Sequence, residues 1–94
     1  MSHKGINQLA ANQESLLSIF PNPCLGDTYL YTDDPDAEFV SICNSDGEMI
    51  LRETIVPGRS LYMVLNLAPG TYYLELKDRN LNHLGLPRLL QIVK

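Results

Sequence analysis

The sequence predicts an all-β fold, an Ig-like antiparallel β-sandwich of about seven short strands. Segments in which apolar and polar residues alternate recur at a spacing of roughly 8–12 residues, which is typical of sandwiches. Glycine, proline, asparagine and aspartate separate these segments, and no segment of useful length has the period of a helix. The 94 residues suffice for a single domain with one two-layer core.

The first strand is predicted over residues 16–20, where an apolar run meets Pro21-Asn22-Pro23. Neither proline has an N–H group, and each restricts the residue before it to extended conformations. The strand therefore has to end at Phe20, and the chain has to turn out of its sheet.

Alternation predicts six further strands, over residues 27–32, 38–44, 48–53, 60–67, 71–77 and 88–93. Asp46-Gly47 predicts a tight hairpin between the third and fourth strands. Pro69-Gly70 predicts a type II turn before the sixth strand, so that both Gly47 and Gly70 are expected to have positive φ. Tyr72 lies in phase with apolar residues of the sixth strand, and we expect it to be buried. Residues 1–14 have no sustained period and are interpreted as a flexible leader, a linker or a tag remnant, which leaves residues 15–94 as the domain.

Composition and charge exclude several classes of function. The formal net charge is −4 and the seven basic residues are scattered, which argues against a nucleic-acid partner. No stretch approaches the roughly 18–20 apolar residues of a transmembrane helix. Residues 1–12 lack the apolar segment of a secretory signal peptide. We interpret the chain as a cytosolic protein or as a piece of a longer one.

No cluster of reactive side chains indicates catalysis. The histidines are His3 and His83, and no nucleophile sits in an elbow motif. The sequence also lacks phosphate-loop, dinucleotide and zinc-protease motifs, so we expect a non-enzymatic protein without a cofactor. Five acidic residues could in principle bind calcium, although they lack EF-hand spacing and a solvated acidic loop is the favoured interpretation: Asp27, Asp33, Asp34, Asp36 and Glu38.

Two further sets of residues leave alternatives open. Cys24 and Cys43 are either two small free thiols or, in an exported protein, a disulfide pair. The five tyrosines could form a sugar-binding platform if several shared an exposed face, but the alternation predicts that they are divided between faces.

Four motifs follow one another in a recognisable order. The apolar first strand runs into Pro21-Asn22-Pro23, and residues 40–50 fit the hairpin pattern V-x-I-x-D/N-x-x-G-x-x-V. Residues 67–76 fit L-x-x-G-x-Y-x-L-x-L, and an apolar strand then ends in a basic residue, Lys94. In this order the motifs resemble the type A C-terminal sorting domain of the Bacteroidetes type IX (Por) secretion system.

The resemblance implies that the domain is a targeting signal and catalyses no reaction. Such domains stand at the C-terminus of exported cargo proteins, pass through the periplasm and are recognised by the outer-membrane translocon. A surface sortase then commonly removes them, and the cargo reaches the cell surface or the medium. The alternative is an Ig-like adhesion or ligand-binding accessory module of a secreted Bacteroidetes protein.

Terminal strands can be recognised by strand addition, and we expect an accessible last strand here. The predicted recognition residues lie in the proline turn and in the last strand: Pro21, Asn22, Pro23, Leu90, Ile92, Val93 and Lys94. For Gly47, Gly70 and Tyr72 we expect structural roles.

Overall fold

The computed structural model describes residues 15–93. Their strands are β1 (Ser18–Phe20), β2 (Asp27–Tyr31), β3 (Phe39–Cys43), β4 (Met49–Thr54), β5 (Leu61–Val64), β6 (Gly70–Lys77) and β7 (Arg88–Ile92). All seven predicted strands are confirmed. The largest difference is at β5, which was predicted to reach residue 67 but ends at Val64. Val64 is paired with Asp27, the first residue of β2, and beyond this pair the Leu65 N–H donates one hydrogen bond to the Gly26 carbonyl.

The strands form two antiparallel sheets, with the orders β1-β2-β5 and β4-β3-β6-β7. One core lies between them, built from the alternate residues that face inward on each strand, and the largest fully buried apolar side chains include Leu30, Val40, Ile42, Leu74, Leu90 and Ile92. The predicted all-β sandwich is therefore confirmed.

Tyr72 ties the start of β6 to the loop before it. Its side chain is buried, as predicted, and its hydroxyl donates a 2.6 Å hydrogen bond to the carbonyl of Ala68. This is the arrangement of the tyrosine corner in Ig-like sandwiches. Gly47 and Gly70 have φ angles of 86° and 152°. Positive φ is thus confirmed at both, but the type II turn at Gly70 is wrong, because that turn requires φ near about 80°.

Outward-facing residues of β3 are covered although the alternation places them on the solvent side. Ser41 and Cys43 are both buried. The Arg52 guanidinium lies 5.0 Å from the centre of the Phe39 ring and covers part of this face. β3 is the second strand from one side of its sheet, so long side chains of both neighbouring strands extend over it.

The two cysteines are free thiols, and both are buried. Burial raises the pKa of the Cys43 thiol, and the nearby Glu75 carboxylate raises it further. A raised pKa keeps the thiol protonated, which is the unreactive form. Of the two alternatives for the cysteines, the structure therefore has the unpaired one.

Candidate functional site

The Pro-Asn-Pro turn lies along the last strand. After β1 the chain crosses to the other sheet, and both Phe20–Pro21 and Asn22–Pro23 are cis peptide bonds. The Asn22 side chain donates from Nδ2 to the Leu89 carbonyl at 2.7 Å. Its Oδ1 accepts a 3.0 Å hydrogen bond from the Gln91 N–H. One carboxamide therefore binds two successive backbone groups of β7.

The backbone of Cys24 continues this pairing. Its N–H donates to the Gln91 carbonyl and its carbonyl accepts from the Val93 N–H, both at 2.9 Å. Cys24 is thereby paired with Ile92 in a parallel bridge. Residues 21–25, called here the edge segment, occupy the side of β7 that faces away from β6.

Our expectation of an accessible last strand is wrong for residues 89–93. The Leu89 and Gln91 carbonyls and the Gln91 and Val93 N–H groups are all paired with the edge segment. Strand addition at this edge would first have to displace Asn22 and Cys24. No local pattern indicates this cover, because the hydrogen bonds join residues that are 67 and 69 positions apart in the chain.

The far side of the edge segment is a poor template for another strand. Pro21 and Pro23 have no N–H groups to offer. The Pro21 carbonyl already accepts a 2.8 Å hydrogen bond from the buried Thr28 hydroxyl. The edge segment thus ends the sheet on this side, because it offers few backbone groups to a further strand.

The predicted recognition residues are brought together, but they differ in exposure. Pro21, Asn22 and Pro23 are exposed. Leu90 and Ile92 are core residues with 0% and 1% of their surface exposed, so their side chains cannot contact a partner of the folded domain. Val93 is 42% exposed, and Lys94 lies outside the described residues.

Exposed apolar side chains surround the closed edge. Leu25 is 72% exposed and Leu89 is 53% exposed. Leu25 and Val93 directly follow the paired residues Cys24 and Ile92. We call the exposed side chains on both sides of the pairing the edge surface: Pro21, Pro23, Leu25, Leu89, Gln91 and Val93.

A second exposed surface lies on the three-stranded sheet. Phe20, Tyr29 and Tyr62 are paired in one row across β1, β2 and β5, and Phe20 is 76% exposed. The rings of Tyr29 and Tyr62 lie 5.0 Å apart at an angle of 41°. We call these three residues the aromatic row.

The tyrosines are divided between faces, as predicted, since Tyr72 is buried and Tyr73 lies on the other sheet, but several of them nevertheless share one exposed face. Tyr31 also points to this outer face, so three of the five tyrosines share it. Sequence alone did not show this, because β2 pairs with β5 across two intervening strands of the other sheet. The Tyr62 hydroxyl donates a 2.8 Å hydrogen bond to the Asp27 carboxylate, which raises the pKa of Tyr62.

The acidic residues do not converge on a metal centre within the described part of the chain, residues 15–93, where no three potential ligands form a group.

An open cleft of about 470 Å³ lies between two loops, and it is lined by Asp36, Glu38 and Asp78 together with Arg79. The Asp78 carboxylate accepts hydrogen bonds from the backbone N–H groups of Asn80 and Asn82, which lower its pKa. Asp78 thus serves to shape its own loop.

The described residues include no helix that is long and apolar enough to cross a membrane. Their distinctive feature is a closed sheet edge surrounded by exposed apolar side chains. Exposed apolar side chains grouped in this way are a candidate interaction surface. The fold defines the class of the protein as a small β-sandwich domain.

A model of the family described as "Secretion system C-terminal sorting domain" matches residues 18–84. The chain belongs to this family, and the resemblance to type IX sorting domains is confirmed. The match includes the edge segment and strands β1 to β6, while β7 lies beyond it. Comparisons with curated proteins and with solved structures gave no match.

Proposed function

We propose that this domain is a non-enzymatic signal that directs a cargo protein across the outer membrane by the type IX secretion system. The cargo domain precedes it in the full-length protein. The translocon binds the folded domain after passage through the periplasm, and a surface sortase then removes it. The family membership supports the sorting role, and the edge surface is the observation that supports recognition of a folded shape.

Recognition is proposed to depend on the edge surface as one unit. Pro21, Pro23 and Val93 offer exposed side chains to the translocon, and Lys94 is a further predicted contact. Leu90 and Ile92 act by holding β7 in the core, and Asn22 acts by holding the edge segment against β7. Each predicted recognition residue is thus proposed either to contact the translocon or to hold the contacting residues in place.

A delivery assay in a type IX-competent bacterium tests the proposal. A reporter with an N-terminal Sec signal peptide carries residues 15–94 at its C-terminus. We expect delivery of the reporter to the cell surface or the medium, and retention in the periplasm when residues 91–94 are removed. Retention of both proteins, with the domain folded, would contradict the sorting role.

A surface variant separates contact from folding. The double change Leu25→Ser and Val93→Ser removes apolar groups from the edge surface without touching the core, and we expect it to lower delivery at least tenfold. Val64→Ser is the matched control, because Val64 is 64% exposed on the other sheet. Equal delivery by both variants would move recognition away from the edge surface.

The aromatic row favours a second candidate, an Ig-like adhesion or ligand-binding accessory module. Exposed rings with nearby hydroxyl and carboxylate groups, here Tyr29 and Tyr62 beside Asp27, are suited to a ligand with both apolar and polar faces. The double change Tyr29→Ala and Tyr62→Ala tests it. If the sorting role is correct, delivery stays unchanged; if the accessory module is correct, binding to a panel of polysaccharides is present in the parent domain and lost in this variant.

A further inference from the structure

We infer that Asn22 is a positioning residue that substitutes for a strand residue, locks the edge segment onto β7 and thereby prevents β7 from pairing with a second copy of this chain. The inference deepens the proposed function, because the lock also holds the edge surface together. It does not depend on the sorting role, since its test needs no translocon.

The hydrogen-bonding groups of Asn22 match those that a neighbouring strand would present. A strand residue that faces β7 offers one N–H donor and one carbonyl acceptor. The Asn22 carboxamide offers the same pair, Nδ2 to the Leu89 carbonyl at 2.7 Å and Oδ1 to the Gln91 N–H at 3.0 Å. Cys24 then supplies the next donor and acceptor from its backbone. The two residues together continue the hydrogen bonding of the sheet.

The prolines on either side of Asn22 limit further pairing. In the register of the Cys24–Ile92 bridge, a strand residue at position 22 would bind the Leu89 carbonyl and the Gln91 N–H, and the Asn22 side chain binds both of these groups. The same prolines leave the far side of the edge segment without N–H groups at two positions, which ends the sheet. A closed edge and a terminated sheet thus come from three consecutive residues.

Asparagine fits this position at neutral pH because its side chain has both a donor and an acceptor. An ionised aspartate has acceptors but no donor, so it would place a negative charge against the Leu89 carbonyl. Alanine would leave both the Leu89 carbonyl and the Gln91 N–H without their partner. Protonated aspartate has one O–H donor and a remaining acceptor, and it would restore both hydrogen bonds.

A second copy of this chain is the partner that an unlocked edge would bind. Without the edge segment, two N–H groups and two carbonyls of residues 89–93 point outward in a row. Such a row is a template for strand pairing. Antiparallel pairing of β7 with β7 of a second copy is self-complementary and closes as a two-fold dimer. Leu89 and Val93, already exposed, would lie in that contact.

Amide hydrogen exchange measured by NMR on the full chain tests the lock. We expect Asn22→Ala to lower the protection of the Gln91 amide at least tenfold at a concentration at which the chain is monomeric. We expect the same variant to form a dimer in light scattering as the concentration rises. Asn66→Ala is the matched control, since Asn66 is an exposed asparagine outside the edge segment. An unchanged protection factor at Gln91 or a monomer at every concentration would overturn the inference.

A pH titration of Asn22→Asp gives an independent test in one molecule. The neutral acid can donate to the Leu89 carbonyl, so we expect the folded-state pKa of Asp at this position to lie above its ordinary value of about 3.9. The lock is then present below pH of about 3.9 and is lost as the pH rises through the folded-state pKa. Gln91 protection that is independent of pH, relative to the parent chain at each pH, would contradict the inference.

The parent chain provides a measurement that no folding defect can obscure. The Asn22 side-chain NH₂ protons are predicted to exchange at least tenfold more slowly than those of Asn66. Equal exchange would overturn the lock even if both variants failed to fold. Because these readouts concern the isolated chain, failure of the lock and failure of the sorting role remain distinguishable.

Discussion

The two edges of the four-stranded sheet are protected in different ways. β7 is covered by the edge segment, which pairs the outward backbone groups from the Leu89 carbonyl to the Val93 N–H. β4, at the other side, is paired with β3 alone among the described strands. Five of its six residues are exposed, and two of those, Arg52 and Glu53, are charged.

The two edges differ in whether specific hydrogen bonds fix the residues around them. The β4 edge is discouraged from pairing by charge and by a register shift between Ile42 and Cys43, neither of which fixes a particular surface. The β7 edge is closed by directed hydrogen bonds that fix the positions of neighbouring side chains. A surface that has to be recognised needs such fixed positions, whereas an edge that only has to stay unpaired does not.

Matched leucine truncations in the two edge strands give the largest predicted difference. Leu90 of β7 is fully buried, while Leu51 of β4 is only partly buried against the core. We expect Leu90→Ala to lower the free energy of unfolding by about 2–5 kcal/mol, because it leaves a cavity. Leu51→Ala should cost no more than about half as much. Urea denaturation of both variants measures this difference. Equal losses of unfolding free energy would show that the two strands contribute equally to the stability of the core.

Removal of one hydroxyl tests the anchor of the closed edge. The Thr28 hydroxyl is buried and donates to the Pro21 carbonyl. Thr28→Val keeps the shape of the side chain but leaves that carbonyl unpaired, so we expect a loss of about 1–2 kcal/mol in thermal or urea unfolding. The control is Thr54→Val at the exposed end of β4, where a change within about 0.5 kcal/mol is expected. Similar losses would remove the distinction between the two edges.

Removal of the Arg52 charge from the β4 edge gives the smallest predicted change in stability. Arg52 covers the Phe39 ring, and Arg52→Ala should lower the free energy of unfolding by about 0.5–1 kcal/mol. The same change removes a charge from the β4 edge, so weak self-association is expected in sedimentation at high protein concentration. Arg52→Lys keeps the charge and serves as control. Association of both variants to the same extent would show that charge does not protect this edge.

Local patterns in the sequence were enough to predict the strands. Alternation puts Thr28 and Leu30 on one face of the second strand and Tyr29 on the other, and in the structure Thr28 and Leu30 are buried while Tyr29 is exposed. The Asp46-Gly47 hairpin was also predictable, because its signal lies within four residues. Asn44 accepts hydrogen bonds from the N–H groups of Asp46 and Glu48 and so holds that turn in place.

Contacts between distant segments could not be predicted in the same way. The prolines indicated a turn after Phe20, but nothing local showed that Asn22 would meet Leu89 and Gln91. The aromatic row likewise depends on the pairing of β2 with β5, which alternation within a strand does not specify. Burial of Ser41 and Cys43 depends on cover from neighbouring strands, which is again a property of the assembled sheet.

The bridge between Cys24 and Ile92 has a consequence for protein synthesis. Asn22 and Cys24 leave the ribosome almost seventy residues before Gln91 and Val93, to which they bind. The edge surface therefore cannot exist on a nascent or prematurely terminated chain, however well the rest of the domain has formed. A receptor that bound this surface would bind only chains whose synthesis had passed residue 93.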